Sequence, residues 1–302
     1  MKPNLKQSNK KPAFTIVELL TVMSIIVILI GLLVPALNMA KRYAKTVRQR
    51  AQFHSIDAAI ELFNNEFDGY PLSGATDPTG VAYCGAMKLC EAMMGQDLLG
   101  FHTNSVFRRD GMDAADKLLL YNPADTISRT SRKGPYLPPE NANAYRIKDL
   151  YPIDSPGFNV FRPDNLVLCD VFTRDLYQVK SGMPILYYKA NTTNMLHLYD
   201  IGGKEWKPPN PSDDAGNIYN YWDNQELLEL GKPWVQGGAG TPAKKHRLSD
   251  YKRFYKNTKS DRITTPPDRP YRSDSYILIS AGYDGEYGTA DDICNFDWKY
   301  VE

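Results

Sequence analysis

The chain has 302 residues, which is enough for one large domain or two ordinary ones. Hydrophobic residues make up 42% and charged residues 24% of it, a composition that excludes a multi-spanning membrane protein, a collagen and a wholly disordered chain. Lys and Arg number 36 against 35 for Asp and Glu, so the net charge of +1 gives no reason to expect nucleic acid as a partner.

The N-terminal 40 residues differ sharply from this average. Residues 1–13 carry four lysines and no acid, and the 19 residues Leu19–Leu37 carry no charge at all. That run is about long enough to cross the hydrocarbon core of a bilayer, and longer than the roughly 7–15-residue core of a cleaved signal peptide. A basic leader before an apolar run predicts a single membrane span, with the N-terminus in the cytoplasm and the remainder outside.

A single acid, Glu18, interrupts the otherwise uncharged segment 14–40. A carboxylate inside an apolar membrane helix costs roughly 2.5–3.5 kcal/mol or more, so Glu18 needs a partner. Cutting the chain between Ala13 and Phe14 would create an α-amine on Phe14 and make Glu18 the fifth residue of the mature chain. Among staggered helices, the carboxylate could then pair with the amine of a neighbouring subunit.

The N-terminus closely resembles that of the type IV pilin and type II secretion pseudopilin family. The matching residues are Lys10–Ala13, Phe14–Leu20 and Pro35, which stands where the family carries a helix-loosening proline. The resemblance implies cleavage by prepilin peptidase before Phe14, N-methylation of Phe14 and assembly through Glu18. The chain departs from the family at Ala13, because a glycine usually precedes the cut. The alternative is an uncleaved signal anchor.

The helix is predicted to continue beyond the membrane as an amphipathic segment. Apolar side chains recur at helical spacing and form one stripe: Phe53, Ile56, Ile60, Phe63 and Phe67. Asp68-Gly69 and Tyr70-Pro71 should end the helix. A helix from Phe14 to Glu66 would be about 80 Å long. The basic cluster Lys41–Arg50 is interpreted as a solvated face, with lipid headgroups or acidic neighbours as the alternative contact.

The rest of the chain is punctuated by proline and glycine clusters. Runs rich in β-branched and aromatic residues predict strands at Leu166–Phe172, Ile185–Ala190 and Ser275–Ile279. Short helices are predicted at Leu89–Leu99 and Ala114–Tyr121.

Two further segments, 134–139 and 182–188, resemble those that lead into the first strands of a major (G-type) pseudopilin head. The resemblance implies an α+β, pilin-like fold in which a long N-terminal helix packs on a small antiparallel sheet enlarged by two insertions, 72–133 and 191–273. The expected organisation is a leader peptide at 1–13, a transmembrane and polymerisation helix at 14–40, an amphipathic continuation at 41–71 and a periplasmic head at 72–302.

An acidic loop at 280–293 follows the last predicted strand. Its fourteen residues contain four acids and three glycines, which suggests a chain folded around a cation. Calcium takes about six to eight oxygens, commonly from carboxylates and backbone carbonyls. The loop does not match the EF-hand pattern. The alternative is a plain hairpin turn at Asp284-Gly285 with solvated acids.

This loop is also similar to the C-terminal calcium loop of the G-type pseudopilin. The resemblance implies a structural Ca²⁺ held by the carboxylates of Asp284, Asp291 and Asp292 and by the carbonyls of Ala281 and Thr289. Without the ion, the clustered carboxylates should repel one another and loosen the loop.

The four cysteines, Cys84, Cys90, Cys169 and Cys294, would lie outside the cytoplasm, where disulfides persist. They allow three pairings, of which Cys84 with Cys90 is the most local and leaves Cys169 with Cys294. The four histidines are scattered and match no HExxH, GxSxG or phosphate-loop pattern, which favours packing roles over catalysis.

These observations predict a structural protein and not an enzyme. The resemblance implies a pseudopilin of the bacterial inner membrane that forms a polymer with other pseudopilins, is processed by prepilin peptidase and works with the secretion assembly platform. One alternative is a surface type IV pilin for adhesion or motility. Another is a membrane-anchored carbohydrate-binding protein, because the second insertion is rich in aromatic residues: Trp206, Tyr219, Tyr221, Trp222 and Trp234.

Overall fold

The computed structural model describes residues 15–176, 179–197, 200–201, 204–205, 216–234, 245–263 and 268–297. The chain divides into two compact units, residues 1–44 and residues 45–302. The predicted processing residues Ala13 and Phe14, and the aromatic residue Trp206, lie outside the described residues.

The described chain combines α-helices with short strands. The helices are α1 Ile16–Phe67, α2 Gly85–Met94, α3 Thr126–Thr130, α4 Pro139–Ala142, α5 Ile147–Leu150, α6 Gln225–Glu229 and α7 Tyr251–Thr258. The strands are β1 Phe101–His102, β2 Arg132–Lys133, β3 Ala144–Arg146, β4 Leu166–Leu168, β5 Arg174–Asp175, β6 Lys180–Ser181, β7 Leu186–Lys189, β8 Asp200–Ile201, β9 Lys204–Glu205, β10 Tyr276–Ser280 and β11 Ile293–Cys294. Single 3₁₀ turns lie at Phe158–Val160, Tyr221–Asn224 and Arg247–Ser249.

The main sheet has three antiparallel strands in the order β11–β10–β7. Its register places Tyr276 opposite Lys189 and Ile279 opposite both Leu186 and Cys294. The other strands form two-stranded antiparallel pairs: β1 with β2, β3 with β4, β5 with β6, and β8 with β9. A long N-terminal helix with small antiparallel sheets confirms the α+β class. The three predicted strands are present, the first two in shorter form and the third shifted by one residue.

The C-terminal part of α1 builds one side of the core. Phe53, Ile56, Ile60 and Phe63 are buried, as the helical spacing predicts. Gln52 is buried as well, and its Nε2 donates hydrogen bonds of 2.9 Å to the carbonyls of Asn141 and Cys169. The helix ends at Phe67 because Asp68 adopts a left-handed conformation with φ 55°. The predicted end is therefore confirmed.

The insertion 72–133 contributes the centre of the core. All ten residues of α2 are buried, and the helix packs against β4 and β7. The prediction placed this helix at 89–99, but it begins earlier and ends at Met94, where Gly95 takes φ 79°. The insertion 72–133 is therefore part of the core of the second unit and is not attached to its outside.

The helix predicted at 114–121 is wrong. Met112 and Leu119 form an antiparallel bridge instead. The Asp113 carboxylate accepts hydrogen bonds from the backbone N–H groups of Lys117 and Leu118, which holds the segment in a turn. A short polar side chain that bonds to nearby backbone in this way competes with helix formation.

Two charged residues of α2 are buried and form hydrogen bonds with other residues of the insertion 72–133. Lys88 Nζ donates to the carbonyls of Gly74 and Thr76 at 2.6 and 2.7 Å. The Glu91 carboxylate accepts from four side chains, those of Tyr83, Gln96, Ser105 and Tyr121. Buried charges are tolerated only when their hydrogen-bonding capacity is met, so these contacts fix α2 in place.

Candidate functional site

The N-terminal part of α1 is apolar, and no described residue of the unit 1–44 buries it. Every residue from Thr15 to Ala44 is exposed, including Leu32 at 72% and Ile16 at 80%. The helix is long and apolar enough to cross a membrane. A soluble helix buries at least one face, whereas a helix that is apolar all round is covered by lipid or by other helices.

Glu18 forms a capping box with Thr15 at the start of this helix. Glu18 Oε2 accepts hydrogen bonds from the Thr15 backbone N–H at 2.9 Å and from the Thr15 hydroxyl at 2.7 Å. The Glu18 backbone N–H donates to Thr15 Oγ1 at 3.2 Å. The reciprocal pattern of Thr before the helix and Glu three residues later satisfies two free N–H groups. The sequence analysis missed this partner, although the Thr-x-x-Glu spacing is visible in the sequence.

Pro35 lies inside α1, and the helix continues on both sides of it. Because proline has no N–H, the carbonyl of Gly31 lacks its usual helical donor. The predicted position of Pro35 in the apolar helix is confirmed, while its role in assembly stays a prediction.

The acidic loop 280–293 leaves β10 and returns to β11 through tight glycine turns. Gly282 has φ 63°, and a Cβ at this position would lie 1.9 Å from the carbonyl oxygen of Asp291. The Asp284 carboxylate accepts from the Glu286 N–H and from the Thr289 hydroxyl. The backbone of the loop is therefore closely packed at Gly282, whereas the Asp284 side chain is exposed, so the alternative of a hairpin turn with solvated acids stays open.

Asp292 is the one buried carboxylate among the predicted calcium ligands, with 8% of its surface exposed. Its Oδ2 accepts from the Gly288 N–H at 2.7 Å, but its Oδ1 has no hydrogen-bond partner in the described part of the chain. Burial, and to a smaller extent the charges of Asp284 and Asp291, raise the pKa of Asp292 well above its usual value.

A cation would stabilise a buried carboxylate oxygen that has no partner and lies near two like charges. The described residues contain no ready cluster of three or more His, Cys, Asp or Glu side chains placed to hold a metal. Calcium therefore stays a prediction that the surroundings of Asp292 favour.

Cations from other segments hold the acidic loop, which sequence reasoning did not anticipate. Arg174 donates to the carbonyls of Tyr283 and Asp284 at 2.7 and 2.8 Å, and its guanidinium lies 4.3 Å from the ring of Trp234. Lys232 forms a largely buried ion pair with Glu286. The insertion 191–273 thus supplies a cation, Lys232, to the loop and an aromatic ring, Trp234, to Arg174.

A second buried carboxylate, Asp170, supports the base of this loop. Its Oδ1 accepts from the Phe172 and Met183 N–H groups, and its Oδ2 accepts from the Ser280 hydroxyl at 2.7 Å. Burial raises the pKa of Asp170 to about 7. Asp170 and Ser280 are 110 residues apart in the chain, so no local pattern could have indicated the contact.

The four cysteines are free thiols in the structure, and the local pairing of Cys84 with Cys90 is wrong. Cys84 is the residue before α2 and Cys90 lies inside it, so the two are about 9 Å apart along the helix axis. A disulfide needs Cα atoms within about 7 Å. Cys169 is buried and Cys294 half-buried.

The histidines expected to have packing roles include three that are buried: His102, His197 and His246. His197 Nε2 lies 2.9 Å from the Thr258 hydroxyl, and His246 Nε2 lies 3.1 Å from the Gly231 carbonyl. Burial lowers the pKa of both to about 3, so they are neutral near pH 7.

Comparisons of the chain with protein-family models, with curated proteins and with solved structures found no match.

Proposed function

We propose that the chain is a membrane-anchored structural subunit, a pseudopilin that polymerises into a filament of the type II secretion kind. The exposed apolar helix carries this proposal. Between Ile16 and Ala40 its only charge is Glu18, and every side chain is exposed. Lipid before assembly, and the helices of neighbouring subunits after it, would cover such a surface.

Glu18 supplies the specific contact in this proposal. The hydrogen bonds described for its carboxylate all end on Oε2, which leaves Oε1 for a second partner. Cleavage before Phe14 by prepilin peptidase would place an α-amine, methylated in the mature chain, at the matching depth of a neighbouring subunit. A charge pair in the low-dielectric interior of a helix bundle is strong, which would set the axial stagger of the subunits.

The second unit would be the periplasmic head, and its proposed ion is structural. Ca²⁺ would be held by Asp284, Asp291 and Asp292 together with the carbonyls of Ala281 and Thr289. The ion would supply positive charge to a buried carboxylate that has one unpaired oxygen. No step in this function is catalytic: the subunit binds other pseudopilins and the inner-membrane assembly platform.

The nature of the native N-terminus tests the proposal directly. Mass spectrometry of the protein from its own membranes should show a chain that begins with N-methylated Phe14. A mature chain that retains residues 1–13 would contradict the proposal, because the partner amine of Glu18 would never form.

A pair of substitutions separates the two roles of Glu18. Glutamine at this position can still complete a capping box, whereas it cannot form an ion pair. Glu18→Gln should therefore be cleaved normally, retain its helix and fail to form filaments that can be sheared from cells. Thr15→Val removes the cap and keeps the charge, so it should assemble. Normal filament yield from Glu18→Gln would show that capping is the whole role.

A further inference from the structure

A cleft of about 470 Å³ lies in the second insertion, lined by residues of the segments 221–229 and 245–251. It is formed by the 3₁₀ turn Tyr221–Asn224, by α6 and by the start of α7. Small-molecule sites typically occupy about 300–1,000 Å³ and combine aromatic walls with a few polar groups. The proposed filament function makes no use of this cleft.

Three aromatic side chains form one wall of the cleft. The Tyr221 ring packs edge to face against Trp222 at 5.9 Å and against Tyr251 at 6.3 Å. The Tyr221 hydroxyl donates to the Ser249 carbonyl, which joins the two segments. These contacts hold the wall in place before any ligand arrives, and the half-exposed Trp222 presents ring surface to the cleft.

Three polar groups in the wall have no hydrogen-bond partner among the residues that the structure describes. They are the indole N–H of Trp222, the amide oxygen of Gln225 and the hydroxyl of Ser249. Gln225 is 5% exposed and uses its amide nitrogen on Glu229 at 2.7 Å. Unpaired buried polar groups are rare in native proteins, and three of them around one cleft indicate a polar ligand. Together they offer a donor, an acceptor and a group that can act as either.

The charged side chains that line the cleft carry a net negative charge, three carboxylates against one lysine. The carboxylates of Glu226, Glu229 and Asp250 line it together with Lys245, which forms an ion pair with Glu229. Lys252 lies 6.0 Å from the Tyr251 ring at the rim. The carboxylates of Glu226 and Asp250 offer acceptors for the hydroxyl groups of a ligand, and the net negative charge of the lining disfavours an anionic ligand.

We propose that this cleft binds a neutral sugar residue. The C–H face of the sugar ring would lie on the electron-rich faces of the aromatic wall. Its hydroxyls would donate to the carboxylates of Glu226 and Asp250 and pair with the unpaired groups of Gln225 and Ser249. The head would then recognise a glycan while the apolar helix anchors the chain, a second activity that does not depend on polymerisation.

Saturation-transfer NMR on the full-length protein tests this. The protein is kept in a zwitterionic detergent, because sugar-based detergents would compete. The probes are glucose, galactose, mannose, N-acetylglucosamine and the β1,4-linked tetramers of glucose and N-acetylglucosamine. We expect saturation of ring protons in at least one probe. No saturation of any probe, or stronger saturation of choline than of every sugar, would overturn the proposal.

Matched variants locate the binding. Glu226→Gln keeps the shape of a half-exposed side chain and removes a charged acceptor, so affinity should fall about tenfold or more. Trp222→Ala should abolish the signal, whereas Trp234→Ala, which removes the ring beside Arg174, should leave it intact. Circular dichroism checks that each variant is folded. Equal saturation in Glu226→Gln and in the unaltered protein would place the sugar elsewhere and refute the assignment.

Discussion

At the scale of single residues, two buried carboxylates distinguish the acidic loop from an ordinary turn. Asp292 keeps one oxygen without a partner, whereas both Asp170 oxygens accept hydrogen bonds. Burial raises the pKa of both carboxyl groups, to about 7 for Asp170. We therefore predict that Asp292 responds to a cation and that Asp170 responds to protons near neutral pH.

We expect Asp170 to make stability depend on pH. Its pKa is higher in the folded chain than in the unfolded chain, so the folded state binds more protons between about pH 4 and pH 7. The free energy of unfolding should therefore fall as the pH rises through this window. Asp170→Asn should remove that fall, which can reach about 4 kcal/mol for a shift of three pKa units.

Urea unfolding of both proteins from pH 4.5 to pH 7.5 measures this difference. An asparagine can accept from the same N–H groups and donate to Ser280, so the variant should fold. Asp175→Asn, which changes an exposed carboxylate nearby, should follow the unaltered protein. A constant difference between Asp170→Asn and the unaltered protein across this range would disprove the role of Asp170.

At the scale of elements, α2 is the helix on which the head is built. It lies against β4 and β7, and its first residue, Gly85, meets the strand backbone directly. A Cβ at Gly85 would lie 2.2 Å from the carbonyl oxygen of Tyr187. Backbone cannot yield as the end of a flexible side chain can, so this contact requires glycine.

Gly85→Ala should destabilise the head by about 3 kcal/mol or more, because the helix must move away from β7. The matched control is Gly74→Ala, where a Cβ would meet only the Lys88 amine at 3.7 Å. The melting temperatures of the two variants, measured by thermal unfolding, give the difference in stability. Similar melting temperatures for both would show that α2 does not pack against β7 as described.

The acidic loop should respond to calcium as a unit. Calcium at 100 times its dissociation constant should add about 2.7 kcal/mol to the stability of the head, and chelator should remove it. The double variant Asp284→Asn, Asp291→Asn should show no response, and its baseline melting temperature should rise because the repulsion with Asp292 is relieved.

The control for this experiment is Glu286→Gln, in the same loop. Glu286 pairs with Lys232 and is not a proposed ligand. Its loss should therefore lower the melting temperature without calcium and preserve the rise in melting temperature that calcium causes. Scanning calorimetry measures the melting temperature of each variant with and without calcium. An equal calcium response in the double variant would exclude these carboxylates as ligands.

At the scale of the whole molecule, the two units differ in whether their apolar side chains are exposed or buried. The described residues of the first unit, 15–44, are mostly apolar and all exposed, whereas the second unit has an extended buried core. We expect the fragment 45–302 to remain monomeric in aqueous buffer and the full chain to require detergent or membrane. Size-exclusion chromatography measures this, and a monomeric full chain without detergent would contradict the membrane anchor.

The sequence alone determined the features that depend on local order. The length and hydropathy of the apolar run, the stripe from Phe53 to Phe63 and the end of α1 at Asp68 all follow from neighbouring residues, because helical spacing and turn residues act over a few positions. The Thr15–Glu18 box belongs with these, since its two partners are three positions apart.

Only the tertiary structure decided the place of α2, the support of the acidic loop and the aromatic cleft. Arg174 reaches Asp284 across 110 residues, and Lys232 reaches Glu286 across 54. Contacts over such separations depend on how the whole chain packs, and the helical or strand spacing of neighbouring residues does not predict them. For the same reason the sequence could name the acids of the loop and the aromatic residues of the insertion, but not the side chains that they meet.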